Sequence, residues 1–425
     1  MQAANTLGEL LTTLLDRRPF SRKLNDSRPI TELCQALLSE RIETSGLQLA
    51  TAALEQFKQM APDEKAAFFT YLNDDLDIDA EQVAEMAKAY GLERSAANFE
   101  ALAAASEPKR QDLFRKLNQA PGATADLVAM RRDLLVQLKT MPDLSRTNFD
   151  LSHLLKSWFN RGFLVLRQIT WDSPAAILEK IIAYEAVHEI HTWDDLRRRL
   201  QPADRRCFAF FHPAMPDDPL IFVEVALTKG VPGSIQKVLS DNRQPLSESG
   251  ADTAVFYSIS NCQAGLAGIS FGDLLIKQVV RDISRDLQNI KTFVTLSPIP
   301  GFGRWLEEQS LSEIATLDDN ITKLAAYYLV NAKNQNGKPL DPVAKFHLGN
   351  GAMVHLIHPR ADLSQNGMSQ SGGVMVNYLY NLARIPQNIK NYVSDGEITM
   401  SSAVKSLSKQ GAKELGPEKT ETTFK

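Results

Sequence analysis

Ser297 stands in the segment TLSPIPGF, residues 295–302, where two prolines and a glycine follow it closely. The preceding residues, KTFVTL, are typical of a strand. Proline cannot donate a hydrogen bond to a sheet, so the strand is predicted to stop here. A hydroxyl held rigidly at a strand end either shapes a turn or takes part in catalysis, and the local sequence leaves both interpretations open.

His347 lies in DPVAKFHLGNGA, residues 341–352, directly before a Gly-Asn-Gly turn signal that precedes a strand. A histidine at the mouth of a site can be a general acid or base near neutral pH. A loop histidine with satisfied hydrogen bonds is the alternative. No third ligand completes a zinc site around HEIH, residues 188–191. Ordinary structural roles are expected for five other histidines: His188, His191, His212, His355 and His358.

A strand, a glycine loop and a helix start follow one another in FYSISNCQAGLAGISFGDLLIKQVV, residues 256–280. Small residues let backbone N–H groups approach a phosphate, and a helix N-terminus adds partial positive charge. The spacing of Gly265, Gly268 and Gly272 fits neither a Walker loop nor GxGxxG. The loop is therefore either a phosphate or pyrophosphate site or a structural glycine turn.

The chain has two parts with different sequence patterns, and the elements in them must position these residues. Residues 1 to about 160 repeat apolar side chains at helical spacing, beginning with Leu7 to Leu15, and proline-containing breaks separate the stripes. We predict a bundle of about six to eight helices without catalytic residues. Beyond 161–171 strands and helices mix, which predicts an α+β or α/β domain. Strands are predicted at 207–211, 219–227, 254–260, 292–296 and 352–358, and helices at 174–200, 272–289, 305–316 and 320–331.

Composition excludes several classes of protein. The 425 residues are 44% hydrophobic and 23% charged, and 47 basic against 51 acidic residues give a net charge of −4. This balance argues against nucleic-acid binding. Three cysteines without a CxxC pair argue against a disulfide framework, and no apolar run is long enough to span a membrane.

Five segments occur in the order found in malonyl-CoA decarboxylases, and the chain resembles that family over nearly its whole length. The pairing of LSPIPGF with a later FHLxNGA is highly specific. The segments are HPAMPDDPLIFVEVALTKG, FYSISNCQAGLAGISFGDLLIKQVV, TLSPIPGF, DPVAKFHLGNGA and SGGVMVNYLYNL.

The resemblance implies a helical domain at 1–162, a GNAT-type (acetyltransferase-type) catalytic domain at 163–415 and a polar tail at 416–425. It also implies that Ser297 and His347 form the catalytic pair and that Tyr380 lines the site. Asn377 is a further candidate for orienting substrate, although Asn377 and Tyr380 could equally be polar residues within a packed helix. Ser270 replaces a glutamate of the animal members. The loop expected to contact malonyl-CoA comprises Ala267, Gly268, Ile269, Ser270, Phe271, Gly272 and Asp273.

The implied reaction removes CO2 from malonyl-CoA and protonates the resulting enolate to acetyl-CoA. The thioester is itself the electron sink, so no biotin, pyridoxal phosphate or metal is expected. The rigid Ser297 would meet the malonyl group, and His347 would donate the proton directly or through Ser297. An acyl-enzyme on Ser297 is less attractive because decarboxylation needs no acyl transfer. The alternatives are a GNAT-type acyltransferase and a non-catalytic acyl-CoA sensor.

The resemblance further implies a homo-oligomer, a tetramer built as a dimer of dimers, and a place in fatty acid metabolism. No nucleic acid or membrane partner is expected. The chain has no leader and ends in Thr-Phe-Lys, so a bacterial cytoplasm is the expected location. Lys277 and Arg281 could hold the nucleotide end of CoA, but a solvated helix face explains them as well.

Overall fold

The structure, a computed structural model, describes residues 26–415 except 270, 314 and 316. The chain divides into two compact units, Met1–Trp158 with Ala264–Leu266, and Phe159–Gln263 with Ala267–Lys425. The helix predicted at the N-terminus and the polar tail at 416–425 lie outside the described residues.

The first unit is helical, as the periodicity predicts. The proline breaks begin helices as expected: Pro62 opens one, and the Glu64 carboxylate accepts a hydrogen bond from the Ala61 N–H at 2.8 Å. The described helices are α1 (Ile30–Ser39), α2 (Glu43–Gln59), α3 (Pro62–Asp74), α4 (Ala80–Leu92), α5 (Ala96–Ala105), α6 (Lys109–Leu117), α7 (Ala123–Gln137) and α8 (Ser145–Trp158).

A buried ion-pair network lies inside this helical unit. The Arg110 guanidinium is 3% exposed and contacts the Asp77 carboxylate at 2.9 Å and the Asp150 carboxylate at 2.5 Å. It also donates to the backbone carbonyl of Asn73 at 3.2 Å. These contacts connect α3, α6 and α8 within a core that includes the buried Leu72.

The second unit is built on a mixed eight-stranded sheet. Strands β1 to β4 are antiparallel, β4 and β5 are parallel, and the order is β1-β2-β3-β4-β5-β8-β6 with β7 paired to β8. The expected helical region followed by a mixed α/β domain is confirmed. The strands are β1 (Val165–Ile169), β2 (Arg205–Phe211), β3 (Ile221–Thr228), β4 (Thr253–Asn261), β5 (Thr292–Thr295), β6 (Ser297–Pro298), β7 (Met353–His358) and β8 (Met375–Leu379).

Helices cover the sheet because alternate strand residues are apolar on both faces. Cys207, Ala209 and Phe211 of β2 pack with Ile177 and Leu196 of the helices on one face. The helices of this unit are α9 (Ala175–Tyr184), α10 (Trp193–Leu200), α11 (Ile235–Leu239), α12 (Gly272–Asp286), α13 (Phe302–Glu308), α14 (Asp318–Asn331), α15 (Pro342–Gly349), α16 (Gln365–Ser371), α17 (Ile385–Lys390) and α18 (Ser402–Leu415).

The parallel pair β4 and β5 separates before β4 ends. Their register runs from Thr253–Thr292 to Phe256–Thr295, and the Leu296 N–H makes a further bond to the Phe256 carbonyl at 3.0 Å. β4 continues to Asn261. Because the strands are parallel, the segments that follow them, the glycine loop and Ser297, leave the same edge of the sheet.

Two helix predictions are wrong in extent. The segment 174–200 contains α9 and α10, because the Glu185 carboxylate turns the chain by accepting from the Val187 and His188 N–H groups. Thr192 then caps the second helix. The helix predicted at 305–316 is α13, which starts earlier and stops before Ser310 at a φ of 54°.

The strand predicted at 292–296 stops at Thr295, as the prolines indicate. A separate two-residue strand, Ser297–Pro298, then pairs with Val376 and Met375 and ends at the first proline. One interpretation of local structure is wrong: the segment around Asn377 is strand β8 and not a packed helix.

The described part of the chain contains no helix with both the length and the apolar character that a membrane crossing requires. Cys34, Cys207 and Cys262 are all free and buried.

Candidate active site

Ser297 is held by sheet hydrogen bonds at the edge where β4 and β5 separate. Its side chain is buried, and its hydroxyl donates to the Thr295 Oγ1 at 2.8 Å. Backbone pairing with Val376 fixes the residue from the other side. The hydroxyl therefore has a defined direction set by the strands and not by a flexible turn.

His347 lies on helix α15 and not in a loop, which corrects the sequence prediction. Asp341 caps the helix by accepting from the Ala344 N–H at 2.8 Å, and Pro342 occupies the first turn. Asp341 and Pro342 together are a helix-start signal, and the interpretation of this segment as a turn does not account for them. The Gly-Asn-Gly segment ends this helix before β7, with Gly351 at a φ of 86°.

The imidazole of His347 joins Ser297 to Tyr380. Nε2 lies 3.3 Å from the Ser297 Oγ, and Nδ1 lies 2.8 Å from the Tyr380 hydroxyl. The Tyr378 ring stacks on the imidazole at 4.5 Å between centroids. Burial lowers the pKa of His347 to about 3, so the free protein holds a neutral imidazole at neutral pH.

Asp341 links the two segments that carry the pair. Its second carboxylate oxygen accepts from the Gly301 N–H at 3.3 Å, four residues after Ser297. Burial raises the pKa of Asp341 to about 6. One buried carboxylate thus bridges the turn after Ser297 and the start of the His347 helix. Sequence reasoning missed this residue.

Asn377 lies on the other face of the sheet from the pair. Its neighbours Met375 and Leu379 pack in the apolar cluster beside α11, whereas Tyr378 and Tyr380 alternate onto the face of His347. Asn377 donates to the Thr295 carbonyl at 2.7 Å and contacts His358 Nε2 at 2.5 Å. The structure therefore brings Tyr380 to the pair and places Asn377 behind the strand.

The glycine loop leads directly into α12. Ala267 and Gly268 are exposed, Ile269 is half-buried and Phe271 is buried, while Ser270 lies outside the described residues. Gly268 has a φ of 79°, a backbone conformation that favours glycine. Gly272 and Asp273 form the first turn of the helix, so the loop presents exposed backbone next to a helix N-terminus.

Close approach explains the glycine at 272. A Cβ there would collide with the ring of Phe346, the neighbour of His347. The loop and the histidine helix are therefore in contact. Of the two candidates for the nucleotide end of CoA, Lys277 is half-buried and Arg281 is exposed.

The other histidines form no metal centre among the residues that the structure describes. His188 is half-buried and His191 exposed, and neither lies on a helix. His212 Nδ1 accepts from the Ala214 N–H at 3.2 Å, in keeping with the ordinary role predicted for it.

Ser297, His347 and Tyr380 form a buried array of hydroxyl, imidazole and phenol groups on the mixed β-sheet. This array, beside a candidate anion-binding loop, is typical of an enzyme that uses acid–base groups. Family models agree with this class. Residues 162–318 and 310–418 match the malonyl-CoA decarboxylase C-terminal domain, and residues 76–159 match the N-terminal domain of the same family.

Individual relatives agree with the family models. The crystal structure of malonyl-CoA decarboxylase from Rhodopseudomonas palustris is 47% identical with a TM-score of 0.84, covering 89% of this chain and 98% of that one. The Agrobacterium vitis enzyme is 46% identical with a TM-score of 0.85, covering 89% and 99%. The mitochondrial malonyl-CoA decarboxylase of Anser anser anser is 36% identical over 71% of this chain and 70% of its own length. The chain belongs to the malonyl-CoA decarboxylase family.

Proposed function

We propose that this chain is a carboxy-lyase that converts malonyl-CoA to acetyl-CoA and CO2. The observation that carries the proposal is the buried contact of Ser297 with His347 and of His347 with Tyr380 in a member of this family. Such an array can hold and move a proton in a site that excludes water.

The reaction requires the bond between the malonyl carboxylate and the α-carbon to break. Its electron pair moves into the thioester carbonyl, CO2 leaves, and an enolate remains. The enolate carbon then takes a proton to give the acetyl group. The protein must align the carboxylate with the carbonyl π system, stabilise the enolate oxygen and deliver that proton.

Ser297 and His347 supply the proton in this proposal. The imidazole is neutral at neutral pH because burial lowers its pKa to about 3, so it works as a relay and not as a standing imidazolium donor. The Ser297 hydroxyl is the group nearest the substrate, and His347 replaces the proton that it gives up. Tyr380, on the far nitrogen, is the next member of the relay.

The substrate is proposed to enter where β4 and β5 separate. The glycine loop follows β4 and Ser297 follows β5, and both leave the same edge of the sheet. The exposed backbone at Ala267 and Gly268, beside the N-terminus of α12, suits the pyrophosphate of CoA. The remaining loop residues, Ile269 to Asp273, would flank it.

The assignments of the two parts of the chain also remain proposals. Residues 1–162 would form the scaffold for a homotetramer, and residues 163–415 would carry catalysis without biotin or a metal cofactor. The relatives from Rhodopseudomonas palustris and Agrobacterium vitis favour a bacterial cytoplasm. A role in fatty acid metabolism remains a proposal.

Incubation of the purified protein with malonyl-CoA tests the function directly. Equal amounts of CO2 and acetyl-CoA are expected. Release of free CoA with acylation of an amine would indicate an acyltransferase instead, and binding without either product would indicate a sensor.

Substitution of the pair tests the assignment of the site. Ser297→Ala and His347→Gln should each lower kcat by about 10²–10⁴ while leaving the melting temperature and acetyl-CoA binding nearly unchanged, because each removes one member of the proton relay. Ser371→Ala is the matched control: this serine is equally buried but bonds only to the Gly367 and Val374 carbonyls. Near-normal kcat in both site variants would refute the assignment.

A further inference from the structure

We propose that Thr295 is a positioning residue that fixes the direction of the proton in the Ser297–His347 pair. This inference rests on the proposed function, because it concerns how the relay is set before the substrate arrives. Nothing in the sequence singled Thr295 out, since it reads there as an ordinary β-branched strand residue.

Thr295 is fully buried at the end of β5, and neighbouring groups determine how its hydroxyl bonds. Its Oγ1 accepts from the Tyr378 backbone N–H at 3.1 Å and from the Ser297 hydroxyl at 2.8 Å. Its carbonyl accepts from the Asn377 amide at 2.7 Å. Strand β8 therefore holds both polar groups of Thr295 in place, with Oγ1 accepting from Ser297.

The position of the Ser297 proton determines the tautomer of His347. A serine hydroxyl has one proton, and here it is directed at Thr295, so only oxygen lone pairs face Nε2 at 3.3 Å. A neutral imidazole carries its single proton on one nitrogen. The proposal places that proton on Nε2, which donates to Ser297, so that Nδ1 accepts from the Tyr380 hydroxyl at 2.8 Å.

All donors in the array consequently point one way, from Tyr380 through His347 and Ser297 to Thr295. His347 does not accept the serine proton in this state, so Ser297 is arranged as an acid and not as a nucleophile. In the protonation step, the Ser297 hydroxyl turns from Thr295 to the enolate carbon, and its O–H bond breaks as that carbon gains its C–H bond. The Nε2 proton passes to the serine oxygen, the Tyr380 proton passes to Nδ1, and the tyrosine regains its proton from water after product release.

Nitrogen-15 NMR of histidine-labelled protein tests the inference directly. The wild type should show His347 protonated at Nε2, assigned by the resonance lost in His347→Gln. Thr295→Ser, which keeps the hydroxyl, should show the same tautomer. Thr295→Val, which keeps the shape, frees the Ser297 proton to turn to Nε2, and the imidazole proton should move to Nδ1.

Turnover of malonyl-CoA by the same variants gives the second measurement. Thr295→Val should lower kcat about 10–100-fold with KM within about twofold, because only the proton alignment is lost. Thr295→Ser should restore kcat to within about threefold of the wild type.

The inference is overturned if wild-type His347 carries its proton on Nδ1, a result that depends on no Thr295 variant. It is also overturned if folded Thr295→Val keeps both the wild-type tautomer and kcat. Failure of the proposed function is distinguishable: the wild type would then release no CO2 from malonyl-CoA, while the NMR result would still report which nitrogen is protonated.

Discussion

The imidazole of His347 is neutral because burial removes it from solvent, and not because a nearby cation repels its proton. Burial is the only cause of the lowered pKa, and the ring is enclosed by Phe346, Tyr378 and Tyr380. A group of this kind is costly to protonate in the folded state. The same burial therefore makes His347 a source of acid sensitivity.

His347→Gln should reduce the acid sensitivity of folding. The unfolded histidine takes up a proton below its ordinary pKa of 6.5, whereas the folded one stays neutral until about 3. Proton uptake by the unfolded state thus lowers stability progressively as pH falls through this window. The difference in urea-unfolding free energy between pH 7.5 and pH 5 should be smaller in the variant than in the wild type.

His191→Gln is the control for this experiment, because its side chain is 70% exposed. It should lose as much stability as the wild type over the same pH interval. An equal acid-induced loss in His347→Gln and the wild type would contradict the buried, neutral state of His347.

Residues of the site differ in how far the sequence could reveal them. Ser297 and His347 could be named because their motifs resemble those of the family, and Tyr380 followed from its place in NYLY. Thr295 and Asp341 could not, because their roles depend on which backbone N–H groups other elements bring to them. Contacts of this kind are set by tertiary structure and leave no local pattern.

Helix α15 and the turn after Ser297 are positioned by one shared carboxylate. Asp341 accepts from the Ala344 N–H at one oxygen and from the Gly301 N–H at the other. A helix start needs only the first of these bonds. The second bond keeps the turn that follows Ser297 against the helix that carries His347.

Asp341→Asn should separate these two functions. Its amide oxygen can still cap the helix, but its NH2 group cannot accept from Gly301, which leaves a buried donor facing a donor. We expect about 1–3 kcal/mol of lost stability and a fall in kcat larger than the change in KM. Urea unfolding and steady-state kinetics with malonyl-CoA measure the two effects.

Asp79→Asn provides the matched comparison, since Asp79 only caps α4 by accepting from the Glu81 and Gln82 N–H groups. Asparagine is an equally good cap, so this variant should behave like the wild type. Equal behaviour of the two asparagine variants would show that the bond to Gly301 contributes little.

Local patterns predicted most elements but not their pairing. The strands at 207–211, 219–227 and 254–260 are present with small changes at their ends, because β-branched and aromatic runs are local signals. The split of 174–200 was missed because it depends on a buried Glu185 that bonds to Ser258 of β4.

On the scale of the whole molecule, part of the helical unit is exposed in a way that suggests a partner. In the described chain taken alone, neither α4 nor α5 buries a side chain fully. Leu92 is 82% exposed and Phe99 is 56% exposed, with the Phe99 ring 5.9 Å from that of Tyr90. A helical pair with an uncovered apolar face favours the proposed homotetramer with contacts in residues 1–162.

Phe99→Glu should weaken assembly because it places a charge on that apolar face. Light scattering should give four times the 47.2 kDa of one chain for the wild type and a smaller species for the variant. Glu100→Lys changes a charge at the neighbouring exposed position and should keep the larger mass. A monomeric wild type would contradict the tetramer, and an unchanged mass for Phe99→Glu would place the contacts elsewhere.

Strand β8 has a consequence for the order in which the protein becomes active during synthesis. It pairs with Ser297, and Tyr380, directly after it, bonds to His347. A nascent chain that has released both members of the pair from the ribosome still lacks the segment that holds them together. For the proposed pair, catalytic competence would therefore begin only after residue 380 has emerged.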